Sequence, residues 1–276
     1  MKLAAGYVVF DGLETLEASL RSIRSQVDII IVSYQTTSWG GTVATPELIP
    51  TLTRLQNLGL IDELIEFKNF RPSSLISPAE VLQAKSFELV KRQGCLELAF
   101  KLGATHYLSM DADEFYRESE FSWAKTEIET FNLDATAVHY INYVTPTLHR
   151  GHARWRVPFI YRITSQSRHH ASQFIFSGID PTRGMIDDSY FKSIIFERSQ
   201  ISMHHMEMVR ADLLSKYLAS SRYFPDRNKL SEMADSIDSA KLTGLLQFKG
   251  AHLGDLDSIT KSTPLISCEN EFKIVF

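Results

Sequence analysis

Cysteine, long apolar runs and surplus positive charge are all scarce in this chain. Only Cys95 and Cys268 occur in 276 residues. Two cysteines make no disulfide framework and have no metal-finger spacing, which fits a reducing compartment. No apolar run reaches about 18 residues, the length that a membrane-spanning helix needs. The opening stretch MKLAAGYVVFDGLE meets Asp11 and Glu14 too early for a signal peptide. A cytoplasmic protein is expected, at most peripheral to a membrane. The formal net charge of −4 supplies no basic field, so nucleic acid is not an expected partner. Internal repeats and low-complexity linkers are missing too.

What is present is ordinary for a globular protein: 44% hydrophobic and 22% charged residues, in a chain long enough to bury a sizeable core. LAAGYVVF reads as a buried strand that stops at the turn signal Asp11-Gly12. In LETLEASLRSIRSQ, Leu13, Leu16, Leu20 and Ile23 recur at near-helical spacing, and VDIIIVSYQ is a second strand. Strand, helix and strand with tight connections predict a βαβ unit and a parallel sheet. A helix over about 46–58 and a third strand in IDELIEF follow. Ser77, Pro78 and Glu80 form a capping box that opens the longest helix. It runs to about Leu102, with Gly103 as its stop and Gly94 as a candidate break.

THYLSMDADEFY, at 105–116, is a strand that ends in three carboxylates: Asp111, Asp113 and Glu114. Carboxylates held close repel, so a fold that gathers them must supply a cation or let water screen them. Oxygen ligands suit magnesium or manganese, ions commonly completed by substrate phosphates. An isolated D-x-D is more often a solvated turn. Here it lies at the carboxyl edge of a parallel sheet, where ligands collect, beside the ends of the first two strands. Farther on, ATAVHYINYV (135–144) and VPFIYRI (157–163) read as strands separated by the polar TPTLHRGHARWR. ASQFIFSGI is a shorter strand candidate, VRADLLSKYLASSRY looks helical, and a weak helix is expected near 228–247.

The βαβ start, the long helix and KLGATHYLSMDADEFY resemble the nucleotide-binding half of GT-A-fold glycosyltransferases, family 2-like, over about residues 4–120. MHHMEMVRADLLSK resembles the segment in which many of these enzymes carry a further histidine ligand. The resemblance implies an α/β fold, a mixed sheet flanked by helices, with a helical C-terminal segment. Residues 1–120 would bind the nucleotide-sugar, 121–208 would complete the domain on the acceptor side, and 209–276 would be helical. It implies a glycosyltransferase, dependent on manganese or magnesium, that moves a sugar from a nucleotide-diphosphate donor to a saccharide or related acceptor with inversion.

By the same resemblance, Asp111 and Asp113 bind the metal together with His205 or His204. The donor would meet Val9, Asp11, Tyr34, Gln35, Arg92, Asp111, Ala112, Asp113 and Arg210. Family members often carry an acid after the second strand; VSYQTTS has none, so Gln35 or Tyr34 would serve the nucleotide. The general base would be Asp188 or Asp187, ahead of Asp180, since the family places it before the late histidine. Each of these aspartates also reads as a turn or cap residue beside Gly, Pro or Ser. His169 and His170 look like part of a surface loop. Trp155, Tyr140 and Tyr143 could stack an acceptor sugar, although strand aromatics are usually core. Two other functions compete. A sugar nucleotidyltransferase would want a basic glycine-rich loop after the first strand, which VVFDGLETLEA lacks. A non-catalytic nucleotide- or carbohydrate-binding module would tolerate a degraded acidic cluster, yet Asp111 and Asp113 are intact.

Overall fold

Residues 1–68, 77–170, 172–173, 175–180, 182–210, 212–219, 230–243, 245–246 and 263–274 are described by the structure, a computed structural model. The first two apolar runs form β1 (Leu3–Val9) and β2 (Ile29–Tyr34), paired in parallel from Ala4 opposite Ile29 to Val9 opposite Tyr34. Between them α1 (Leu13–Arg24) buries Leu16, Leu20 and Ile23, the stripe its spacing predicts. α2 (Leu48–Asn57) leads to β3 (Glu63–Glu66), parallel to β2.

α3 (Pro78–Lys101) starts on the expected capping box. The Glu80 backbone N–H donates to Ser77 Oγ at 3.3 Å, and the Ser77 N–H donates to Glu80 Oε2 at 3.0 Å. Residues 74–76 of the SLISPAE signal lie outside the described residues. Gly94 does not break the helix: open space surrounds it, so only helix propensity is lost there. Gly103, at φ 78°, ends the helix, and β4 (His106–Asp111) pairs in parallel with the other side of β1.

After β5 (Glu114–Phe115) comes α4 (Glu118–Phe131), which lies outside the expected elements. Its signals are nonetheless in the sequence. Glu118 and Glu120 occupy the first turn, Phe121, Ala124 and Ile128 are buried at helical spacing, and Asn132 closes it at φ 49°.

β6 (Ala135–Thr145) and β7 (Leu148–Arg162) form one long antiparallel hairpin. The polar stretch expected to separate two strands is mostly strand itself. Its polarity hid the ladder, because backbone pairing with register shifts holds it there. β8 (Arg168–His169) and β9 (Met185–Ile186) make a small ribbon. The strand expected over 171–179 does not form at its described residues, which bend until an isolated bridge joins Ile179 to Arg156. β10 (Ser193–Ile195) and β11 (Ser202–His205) follow one another along one edge of β6.

The C-terminal part holds α5 (Leu213–Ala219) and α6 (Leu230–Thr243), and it is not purely helical. β12 (Leu245–Leu246) pairs with β13 (Thr263–Pro264), and β14 (Ile266–Ser267) joins β7. Residues 220–229, where the first of these helices was expected to continue, lie outside the described residues.

Among the described residues the main sheet runs β3-β2-β1-β4-β7-β6-β11-β5. It is a mixed sheet, parallel through β3, β2, β1 and β4 and antiparallel where β7 meets β4 and β6. One face is covered by α1, α2 and α4 through Leu16, Leu52 and Phe121, the other by α3 through Cys95, Leu96 and Ala99. No helix among the described residues is long and apolar enough to cross a membrane.

Candidate functional site

A cleft of about 470 Å³ opens at the carboxyl edge of β1, β2 and β4. Topology brings its two distant halves together. Beyond Asp111 the chain turns at Ala112–Asp113 and enters β5, which lies antiparallel to β11 with Glu114 opposite His205. The Met206 N–H donates to the Asp113 carbonyl at 2.7 Å, so backbone register alone sets His205 beside Asp113.

The two carboxylates of the D-x-D do different things. Arg92 Nη2 donates to Asp111 Oδ1 at 2.8 Å, and Arg183 holds the other oxygen. Both oxygens of Asp111 are thus engaged by guanidinium groups. Asp113 receives Arg210 Nη2 at 2.7 Å and Lys216 Nζ at 2.8 Å, both on Oδ2. Its Oδ1 faces His205 Nε2 at 3.8 Å. Burial alone would raise the Asp113 carboxyl, but Lys216 and Arg210 hold it well below its usual range.

His205 is oriented from behind. Its Nδ1 lies 3.1 Å from Asn142 Oδ1, an atom that can only accept, so Nδ1 carries the proton and Nε2 presents its lone pair to Asp113. Burial keeps the imidazole below its ordinary value despite Asp113, so the ring is neutral. Two electron-rich atoms thus face one another with nothing of the protein between them, and a hydrogen bond fixes the ring from its far side, as metal-bound histidines require. These two residues fit a divalent ion. Among the described residues no group of three or more His, Cys, Asp or Glu gathers to hold a metal ion.

His204, the other candidate, points to the opposite face, as alternation along a strand demands. It is fully buried, 2.8 Å from the Tyr143 hydroxyl through Nδ1 and packed on Phe272, on the other side of the strand from Asp113. Tyr143 leaves the list of acceptor aromatics for the same reason: it is buried there.

Glu114 is buried beneath Asp111. Burial pushes its carboxyl up, to about 8, even with Arg183 Nη1 at 2.5 Å. Arg183 was not picked out by its sequence context, PTRG, which reads as a plain turn. It is the internal cation that gathers Asp111, Glu114 and, at 3.5 Å, Asp180. Lys216, on α5, was equally invisible, since only folding brings that helix to Asp113.

At the ends of β1 and β2, Asp11 and Gln35 line the cleft, together with Ala112, Asp113 and Arg210. Val9 does not: its side chain is in the core, Val8 and Phe10 face the cleft instead, and its carbonyl accepts Lys91 Nζ at 2.9 Å. Tyr34 packs against the core below the cleft. Arg92 sits behind Asp111, fully buried against Glu88 and Ser109, so it supports the carboxylate and does not face a diphosphate. Lys91 also donates to Gln35 Oε1 at 3.1 Å, and burial pulls its ammonium down to about 7.

Of the three candidate bases, only Asp180 lines the cleft, its side chain 41% exposed. Burial opposes its charge, yet Arg183 and Arg92 hold its carboxyl below the usual value. Asp187 is corrected to a structural role, accepting from Thr164, Ser167 and Ser189 in a turn. Asp188 is exposed and away from the cleft.

Gly12 opens α1 at φ 78°, and a Cβ built there would lie 2.5 Å from Arg210 Nη1. Gly12→Ala should cost about 1–2 kcal/mol for the left-handed backbone alone and displace Arg210 from Asp113. The expected result is a lower midpoint of denaturant unfolding.

No family model and no curated protein matches this chain. Among solved structures it is similar to S. aureus TarS, at 9% identity over 88% of this chain and 45% of that one, with a TM-score of 0.43. It is similar to TarS 1-349 in complex with UDP-GlcNAc at 10% identity, 87% and 73% coverage and a TM-score of 0.42. A CMP:2-keto-3-deoxy-manno-octonic acid synthetase complexed with CTP matches at 12% identity, 54% and 58% coverage and a TM-score of 0.31. The chain thus spans less than half the length of the first of these.

Proposed function

We propose that the protein is a glycosyltransferase that takes a sugar from a nucleotide-diphosphate donor and passes it, with inversion, to an acceptor hydroxyl. One observation carries this reading: Asp113 Oδ1 and His205 Nε2 face each other across 3.8 Å at the carboxyl edge of the parallel strands. Asp113 and His205 would hold manganese or magnesium. Bound there, the ion would let two anions approach and stabilise the charge that grows on the departing diphosphate.

The chain's own groups do the rest. Lys216 and Arg210 occupy Asp113 Oδ2, which leaves Oδ1 as the atom offered to the ion, and they add fixed positive charge beside the phosphates. Asp11, Gln35 and Ala112 line the nucleotide end. Asp180, kept ionised by Arg183, accepts the acceptor proton. The acceptor oxygen bonds to the anomeric carbon as the bond from that carbon to the diphosphate breaks. The bonding pair leaves with the diphosphate.

A thermal-shift panel of uridine, guanosine, cytidine and thymidine nucleotide-sugars, each with and without manganese, tests the reading. One base should raise the melting temperature by several degrees with manganese and less without it. Silence across the panel from folded protein would sink the proposal. Binding with no turnover over a range of sugar acceptors would favour the non-catalytic module.

A further inference from the structure

Trp155 stands out among the cleft aromatics because it is 43% exposed, while Phe10, Trp39 and Tyr140 are half-buried. Exposed indole in a cleft is apolar area that a ligand can cover. The local chain is built to present it. Gly178, at φ 67°, lies against the ring, its Cβ position 3.5 Å from Cε3 and 3.6 Å from Cζ3. Ring and loop are tied: the Arg156 N–H donates to the Gly178 carbonyl and Arg156 Nη1 to the Ser177 carbonyl, each at 3.1 Å. Two residues after Gly178 comes Asp180. Its Oδ1 is taken by the Thr182 N–H at 2.9 Å and hydroxyl at 2.8 Å, while the side chain stays partly open to the cleft. One rigid unit therefore carries an aromatic platform and a carboxylate on the same wall.

Its place relative to the donor is set by the sheet. His205, Tyr140 and Trp155 belong to β11, β6 and β7, which are neighbours in that order, and all three side chains line the cleft. Tyr140, on the strand between, packs its ring edge-on against His205 with centroids 5.8 Å apart, so the indole lies on the far side of β6 from the His205 end of the cleft. We propose that Trp155 and Asp180 form the acceptor subsite, and that the acceptor is a pyranoside. Its C–H face lies on the indole and one hydroxyl reaches Asp180. This rests on the transferase reading for the direction of transfer, not for the binding itself.

Saturation-transfer NMR on the whole protein tests it, with methyl glucoside, methyl galactoside, methyl mannoside and methyl N-acetylglucosaminide as probes. At least one glycoside should bind, Trp155→Ala should weaken it tenfold or more, and Trp155→Phe, which keeps an aromatic face, should retain most of it. The melting shift caused by the nucleotide-sugar should be the same in all three proteins. If no glycoside binds while a nucleotide-sugar still stabilises the protein, this proposal fails and the transferase reading stands. If Trp155→Ala abolishes the nucleotide-sugar shift, the indole belongs to the donor site and the proposal fails as well. Glycoside binding by a protein that ignores every nucleotide-sugar would uphold the subsite and overturn the transferase.

Discussion

Asp113→Asn should remove the manganese-dependent part of donor stabilisation and lower transfer by about three orders of magnitude. That loss corresponds to the several kcal/mol that charge stabilisation of a leaving diphosphate is worth. The same change takes from Lys216 and Arg210 their nearest anion, within 2.8 Å at Asp113 Oδ2, and leaves Lys216 with Glu207 at 4.0 Å and Arg210 with Asp11 at 3.5 Å and Glu14 at 3.7 Å. Full stranding of a buried charge costs about 3–5 kcal/mol; with the more distant carboxylates left the cost is smaller, and the melting temperature should still fall. Asp111→Asn separates the two effects. It takes one anionic partner from Arg92, which keeps Glu88, and one from Arg183, which keeps Glu114 and Asp180, and should destabilise the protein, yet the melting increment that manganese adds to the nucleotide-sugar shift should survive. Equal loss of that increment in both variants would contradict the assignment of Asp113 and not Asp111 as ligand. The ion pairs also predict an acid limit. Asp113 titrates below its unfolded value, so its contribution is complete above about pH 4 and is lost as the pH falls through the depressed value.

In Asp180→Asn, turnover should fall by about 10²–10⁴, the usual worth of a positioned general base. Donor binding should not change, because Asp180 lies on the acceptor side of the cleft. Stability should change little: the asparagine keeps an oxygen for the Thr182 N–H and hydroxyl, and the side chain is 41% exposed. Asp187→Asn makes the opposite pattern. It loosens a turn held by Thr164, Ser167 and Ser189 and should lower the melting temperature while turnover persists. Steady-state rates with saturating donor, measured beside thermal denaturation, separate the two. Turnover by Asp180→Asn within tenfold of the parent would remove it as the base.

Local signals carried the parallel half of the fold. The stripe Leu16, Leu20, Ile23 and the box at Ser77–Glu80 are short-range, and both elements formed where those signals place them. The hairpin β6–β7 was harder to see, because its polar half is held by backbone pairing that leaves no apolar alternation to read. The functional residues divide in the same way. The D-x-D could be found from its place at the end of a strand. The partners of its carboxylates could not, since Arg183 and Lys216 are 72 and 103 residues away from them in the chain.

By itself the sequence determined that an acidic turn ends a strand at the carboxyl edge of a parallel sheet, with a histidine pair far downstream. Short-range spacing and strand alternation are sufficient for that. Only the tertiary structure decided which oxygen stays open, which histidine faces it and which aspartate reaches the cleft. Those choices depend on the antiparallel register of β5 against β11 and on four cations from separate segments, and no local pattern encodes either.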